Sequence, residues 1–315
     1  MGINIDNKIF VAGHLGLVGS AIKRKLEEKG YNKLLCRSYE ELDLRRQQDV
    51  EDFFAIEKPE YIFLAAAKVG GIQANNNWPA EFIYDNLAIE INVINAAYKY
   101  GVNKLLFLGS SCIFPKLAAQ PLKEEYLLTG ELEPTNEAYA IAKIAGLKMC
   151  EYYNKQYGTN FFSVMPANLY GPGDNFDLET SHVLPALIRK FYEARVENKP
   201  SVEIWGTGTP LREFLYVDDL ADACLFLMEN FNYEQIESCI NIGTGKDLTI
   251  KDLAELIKEA CEYQGDIVYN PEMPDGTPQK LLDITKMKKL GWEAGTSLEQ
   301  GILKTYQWYV NQLTV

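Results

Sequence analysis

Lys8-Ile-Phe-Val-Ala-Gly13-His-Leu-Gly16-Leu-Val-Gly19-Ser20 is the stretch on which the fold turns. An apolar run of strand length enters three glycines spaced GxxGxxG, and a helical pattern leaves them. That pattern covers residues 20–29, carries Ile22 and Leu26 four apart, and stops at Gly30. Backbone amides at such a helix start attract an anion, and glycine permits both the tight turn and its close approach. Strand, glycine loop and helix in this order are what a dinucleotide pyrophosphate requires.

Working outward, short apolar runs alternate with longer helical patterns, which predicts βαβ units and a parallel sheet. Strands are expected at residues 8–13, 32–36, 61–67, 104–110 and 161–168, with long covering helices at 80–100 and 137–157. Past Asn168 comes the turn-rich Tyr170-Gly-Pro-Gly-Asp174, then a helix at about 182–198 and a short strand at 202–205. A helix at 217–229 and a strand at 239–242 can return to the first sheet. The expected fold is α/β, a Rossmann-type doubly wound parallel sheet with a second, smaller C-terminal α/β substrate domain. The dinucleotide domain would span 1–168 together with about 213–243, and the substrate domain would be a discontinuous 169–315.

A chain of 315 residues with 47% hydrophobic side chains buries a sizeable core, and this excludes a disordered protein. Thirty-one basic against 44 acidic residues give a net charge of -13, so the chain as a whole repels nucleic acid and anionic membrane surfaces. An anionic ligand therefore needs a local positive site. The six cysteines form no CxxC pair and the two histidines lie far apart, which suggests neither a metal site nor a disulfide framework. There is no basic-then-apolar leader and no apolar run near the roughly 18 residues of a membrane span. A soluble cytoplasmic protein is the expectation.

Two further segments carry chemistry. After the second strand the sequence reads Cys36-Arg37-Ser38-Tyr39, with no immediate carboxylate to bond free ribose hydroxyls; this favours NADP(H), with Asp43-Leu44 beside the adenine. Tyr139-Ala-Ile-Ala-Lys143 places a phenol and an ammonium four residues apart on one helix face. A nearby ammonium lowers a phenol's pKa, which would let Tyr139 exchange a proton with a carbonyl or alcohol as hydride moves. Leu108-Gly-Ser110-Ser-Cys112 adds hydroxyls at the carboxyl edge of the sheet, where open parallel sheets bind ligands.

Residues 13–19, Ala65-Ala-Ala-Lys-Val-Gly-Gly71, Ser110-Ser-Cys112, Tyr139 to Lys143 and Pro166-Ala-Asn-Leu-Tyr-Gly-Pro172 together resemble the extended short-chain dehydrogenase/reductase family. Within it, Ser181-His182-Val, Val202-Glu-Ile-Trp205-Gly, Gly208-Thr-Pro-Leu-Arg212-Glu-Phe and Pro274-Asp275-Gly-Thr-Pro-Gln-Lys280 are similar to the GDP-L-fucose synthase family over nearly the whole chain. The resemblance implies an NADPH-dependent enzyme acting on GDP-4-keto-6-deoxy-D-mannose, epimerising C3 and C5 and then reducing C4, and working as a homodimer through the two long helices. Ser110, Tyr139 and Lys143 would be the reductase triad, with Cys112 and His182 as epimerase acid and base. Cofactor contacts would come from Gly13, His14, Leu15, Gly16, Leu17, Val18 and Gly19, from Arg37, Asp43 and Leu44, and from Ala65, Ala66 and Ala67. Leu108, Gly109, Ser111, Lys143, Pro166, Asn168, Leu169 and His182 would complete them. Lys190, Trp205, Arg212, Asp275 and Lys280 would surround the guanosine diphosphate and sugar. The sequence departs from the family's pattern at Leu15, Tyr39 and Lys190, where arginine is usual. A sugar-nucleotide 4-epimerase or dehydratase shares the fold and the YxxxK pair; a non-catalytic dinucleotide sensor has no need of the Ser, Tyr, Lys set.

Overall fold

Strands that are apolar along their whole length need helices over both faces. In the computed structural model, which describes residues 2–273 and 275–313, that is how the glycine loop's strand is housed. The first part of the chain runs β1 (Ile9–Ala12), α1 (Leu17–Glu28), β2 (Leu34–Leu35), α2 (Gln47–Glu57), β3 (Tyr61–Leu64), α3 (Ile72–Asn77), α4 (Pro79–Lys99), β4 (Lys104–Leu108), α5 (Glu137–Tyr157) and β5 (Phe161–Pro166). It continues through β6 (Asn168–Tyr170), α6 (Val183–Val196), β7 (Ser201–Trp205), β8 (Leu211–Tyr216), α7 (Val217–Asn230), α8 (Tyr233–Ile236) and β9 (Cys239–Ile242). The last elements are β10 (Asp247–Thr249), α9 (Ile250–Ala260), β11 (Asp266–Asn270), β12 (Gln279–Lys280), α10 (Thr285–Lys289) and α11 (Leu298–Leu313).

The main sheet has six parallel strands in the order β2-β1-β3-β4-β5-β9. Every residue of β1, β3, β4 and β5 is buried. The chain reverses its direction of travel between β1 and β3, and in doubly wound sheets the crevice at that reversal is where ligands bind. Helices α1 and α7 pack on one another, as do α2, α4 and α5 in succession. The expected strand at 161–168 divides at Ala167: β5 stays in the main sheet, while β6 leaves to pair with β8. The expected 32–36 strand shortens to two residues paired with β1.

Around β8 gather β6, β10 and β12, and β7 pairs separately with β11. Leu187, Ile188 and Phe191 of α6, Leu253 and Ile257 of α9, and Ile302 and Tyr306 of α11 fill a second apolar core beneath these strands. Leu282, Met287 and Trp292, late in the chain, belong instead to the first core. Among the described residues no helix is long and apolar enough to cross a membrane.

Candidate active site

The carboxyl ends of β1, β3, β4 and β5 open on a cavity of about 830 Å³ whose far wall comes from α6, β7, β8 and the segment before β12. Gly13, at φ +83, explains one part of the loop's spelling: a Cβ there would stand 2.7 Å from Ala66 Cα. A Cβ on Gly19 would stand 2.1 Å from the Gly13 carbonyl oxygen, so the start of α1 lies directly on the turn. Gly16 precedes α1 in an extended conformation, and no side chain among the described residues caps that helix start. Its first-turn amides are thus left for an anion. Gly13, Gly16, Leu17, Val18 and Gly19 line the cavity, as do Ala65, Ala66 and Ala67. His14 and Leu15, also expected as cofactor contacts, are not among the lining residues, and Leu15 is 71% exposed.

Arg37, Asp43 and Leu44 line the same cavity beyond β2. Arg37 lies over the Phe53 ring at 5.6 Å, donates to the Cys36 carbonyl at 2.8 Å and pairs with Glu57. Arg45, which the sequence reading passed over, also lines the wall. Its guanidinium lies 5.0 Å over the Tyr39 ring and pairs with Asp43 at 2.9 Å and Asp85 at 3.0 Å. The available signal was an arginine directly after Asp43-Leu44.

At the end of β4, Ser110 starts a single 3-10 turn, Ser111–Ile113, and its hydroxyl oxygen accepts the Cys112 amide at 3.2 Å. The hydroxyl proton stays free to donate elsewhere. Leu108, Gly109, Ser110, Ser111, Cys112, Tyr139 and Lys143 all line the cavity, with Pro166, Asn168 and Leu169 beside them. Tyr139 and Lys143 rise one turn apart on α5, with the Lys143 ammonium 5.8 Å from the Tyr139 ring centre. That ammonium donates to the Leu108 carbonyl at 3.1 Å and pairs with buried Glu90 at 3.2 Å. The expected lowering of the phenol's pKa is not what the site produces. Enclosure by the walls raises it most, Cys112 and Glu90 add to that, and a bond with Ser110 opposes them. Tyr139 is therefore held as a protonated phenol, the form that donates a proton.

The Cys112 thiol stands between two nitrogens, Asn136 Nδ2 at 3.3 Å and Lys280 Nζ at 3.6 Å. His182 is the residue before α6 and presents its ring to the cavity. Its segment is tied to the 65–71 loop by the Gly71 amide, which donates to the Thr180 carbonyl at 2.8 Å. Enclosure, and secondarily the Lys280 ammonium, lower the His182 pKa, so the imidazole is neutral at pH 7.

On the far wall, Lys190 lies 5.4 Å from the Trp205 ring centre and donates to the Glu203 carbonyl at 3.0 Å. Arg212 on β8 donates to the carbonyls of Leu211 at 2.9 Å and Asp275 at 3.4 Å. Asp275 lines the cavity too, but its carboxylate accepts the Thr207 amide at 2.7 Å and the Thr207 hydroxyl at 2.9 Å. It holds the turn after Trp205. Pro274, which opens the last quoted motif, lies outside the described residues. Every expected catalytic and substrate residue thus lies on one cavity, together with Arg45, Glu133, Asn136 and Asp174, which sequence reading had not singled out.

A sequence model of the NAD dependent epimerase/dehydratase family matches residues 9–243. GDP-L-fucose synthase 1 of Arabidopsis thaliana is 58% identical over 97% of this chain and 94% of its own length. GDP-L-fucose synthase of Escherichia coli (strain K12) is 55% identical, covering 96% of each chain. Among solved structures, a GDP-L-fucose synthetase from Naegleria fowleri bound to NADP superposes with a TM-score of 0.91 at 31% identity, over 100% of this chain and 97% of that one. With a glycine loop at the sheet's reversal point and a Ser, Tyr, Lys set at the end of its fourth strand, the chain belongs to the NAD dependent epimerase/dehydratase family, in the branch that contains the GDP-L-fucose synthases.

Proposed function

We propose that this protein converts GDP-4-keto-6-deoxy-D-mannose to GDP-L-fucose, inverting C3 and C5 and then reducing the C4 ketone with NADPH. The observation that carries this reading is the meeting of two chemical sets on one cavity: Ser110, Tyr139 and Lys143 for the ketone, and Cys112 with His182 for the neighbouring carbons. A dehydrogenase alone needs only the first set. The relatives named above carry the same activity in their names.

The glycine cradle and uncapped α1 start fit the pyrophosphate of NADP(H), with Arg37 and Arg45 at the adenosine end for the 2'-phosphate. When bound, NADPH supplies the hydride that reduces C4. The residues of this chain then do the rest. Ser110 and Tyr139 direct hydroxyls at the C4 oxygen, which acidifies the C3 and C5 protons during epimerisation and receives the phenol's proton during reduction. Lys143 places a positive charge behind the phenol. Cys112 and neutral His182 take and return the carbon-bound protons, and the Lys280 ammonium is placed to stabilise negative charge on the Cys112 sulfur. Arg212, Lys190 and Lys280 give this acidic chain a local positive wall for the diphosphate, and Trp205 offers a flat face to base or sugar. Asp275 acts by fixing the Trp205 turn through Thr207.

Incubating the purified protein with the keto sugar and NADPH tests the reading: GDP-L-fucose should form with stoichiometric NADPH oxidation, and absence of both refutes it. Cofactor choice has its own test. Arg37→Ala and Arg45→Ala should each weaken NADPH binding by about 10-fold while changing NADH binding much less, because each removes a charge-assisted bond to the extra phosphate. Equal losses for both cofactors in a fluorescence titration would take that arginine away from the phosphate.

The outer faces of α4 and α5 carry Tyr84, Ile91, Tyr152 and Tyr157, each at least 46% exposed, around a stacked Tyr98–Tyr157 pair with ring centres 4.1 Å apart. We assign these faces to a homodimer. Sedimentation at micromolar concentration should give twice the chain mass, and Ile91→Asp should shift the species toward monomer; a monomeric wild type removes the assignment. A cytoplasmic location completes the reading, since a reducing compartment suits cysteines that are all free.

A further inference from the structure

Glu90 sits in the middle of α4 where that helix faces α5, and it is 1% exposed. Burying a carboxylate between helices is costly unless it is paired. The packing admits it deliberately: a Cβ on Gly146 of α5 would stand 2.7 Å from Glu90 Oε2, so a glycine occupies a helix interior where alanine is the better helix former. Glu90 makes no hydrogen bond of regular geometry among the described residues, and its carboxylate is met by the Gly146 backbone and the Lys143 side chain. What faces it is the Lys143 ammonium, 3.2 Å away and 2% exposed. That ammonium also meets the Leu108 carbonyl at 3.1 Å, the Phe107 ring, 4.7 Å from its centre, and the Tyr139 ring at 5.8 Å.

Deepening the reductase reading on which it rests, we propose that Glu90 is a positioning residue for Lys143. Its carboxylate and the Leu108 carbonyl together fix the ammonium behind Tyr139, and protonation of Glu90 releases that hold and slows the hydride step. Among the described residues, the charged or titratable groups facing Glu90 are Lys143, Tyr139 and Cys150, all from α5, and β4 contributes the Phe107 ring and the Leu108 carbonyl. Burial raises the Tyr139 phenol and the Cys150 thiol, so both are neutral near pH 7. Burial also pushes the Glu90 carboxyl up to about 7, with the Lys143 ammonium opposing. That brings the Glu90 carboxyl into the range between pH 6 and 8.

Two measurements test this. In the first, the side-chain carboxyl carbon of Glu90 is followed by NMR from pH 5 to 9 in protein without substrate, assigned by its loss in Glu90→Gln. Its midpoint should lie well above the roughly 4.3 of a free glutamate and rise further in Lys143→Met, which removes the opposing ammonium. A midpoint in the ordinary range, or one that Lys143→Met leaves in place, overturns the proposal. Selective glutamate labelling with Lys143→Met makes this arm independent of whether Glu90→Gln folds.

In the second, single-turnover NADPH oxidation is followed over the same pH range. The wild-type rate should fall on the order of 10-fold as the pH drops through the Glu90 midpoint. Glu90→Gln, a permanent mimic of the protonated form, should run at the low-pH wild-type rate throughout and show no such limb. A Glu90 that only supports packing would lower the rate equally at every pH with the limb intact, and that result overturns the proposal. If the carboxyl titrates as expected and responds to Lys143→Met but no hydride moves at any pH, the pairing stands and the substrate assignment fails instead.

Discussion

Tyr139→Phe should lower NADPH oxidation by on the order of 100-fold or more, the scale of a lost general acid, while leaving the protein folded and able to bind NADPH. The substitution removes one oxygen and keeps the ring, which packs edge-on against Phe82 with centres 6.4 Å apart, so the cavity wall survives. What is lost is the proton donor at the C4 oxygen. The site holds that donor protonated, since enclosure, Cys112 and Glu90 all raise its pKa and only the Ser110 bond opposes them. Ser110 remains in the variant, and its free hydroxyl proton still polarises the ketone, so a residual rate is expected. Stopped-flow absorbance of NADPH under single-turnover conditions measures the step directly. Wild-type turnover in Tyr139→Phe would sink the assignment, and an equal loss of NADPH affinity would show that the hydroxyl serves cofactor binding rather than proton donation.

How far the sequence reaches can be judged from individual elements. Helix α5 runs from Glu137 to Tyr157, the bounds its periodicity predicts, because a 21-residue amphipathic pattern with Gly158 after it leaves little freedom. Strand β9 was equally legible, as four apolar residues between turns. Strand β8 was not, although its Arg212 was singled out: Arg212 and Glu213 interrupt the apolar run. Both charges have tertiary reasons. Glu213 is buried and accepts the amides of Thr244, Gly245 and Leu282. Helix α2 hides Val50, Phe53 and Phe54 among polar neighbours, too short an apolar face to stand out.

The site shows the same division. Motifs local in sequence, the glycine loop and Tyr139 to Lys143, were visible because their geometry is set by one turn or one helix. Relations across the chain were not. Lys280 reaches Cys112 over 168 positions, and Glu90 on α4 reads as an ordinary solvent-facing charge until α5 is laid against it. Asp275, expected at the ligand, does line the cavity, but its bonds to Thr207 were equally invisible. A side chain's partners, unlike its helix face, are a property of the assembled fold.

Cys112→Ala should abolish proton exchange at C3 and C5 while sparing the hydride machinery, and this is the result that separates a two-stage enzyme from a simple reductase. In heavy water the wild type should place deuterium at both carbons of the product, because each inversion removes a carbon-bound proton and returns one drawn from solvent. The sulfur is the atom held between Asn136 at 3.3 Å and Lys280 at 3.6 Å. The Ser110 hydroxyl is held by the Cys112 backbone amide, a bond that removing the thiol leaves in place. Exchange should therefore fall by about 100-fold or more, and any remaining reduction should yield the unepimerised 6-deoxy sugar. His182→Asn should impair exchange as well. Since enclosure and Lys280 lower its pKa, the imidazole stays neutral as the pH falls to its usual 6.5 and charges only below that. Wild-type exchange should accordingly persist through pH 6.5 and decline at lower pH as the neutral base is lost. Deuterium counted at each carbon by NMR decides the matter: normal incorporation and normal GDP-L-fucose formation by Cys112→Ala would remove the thiol from the mechanism. A wild type with no exchange would leave a C4 reductase, because nothing else on this cavity wall requires the sulfur.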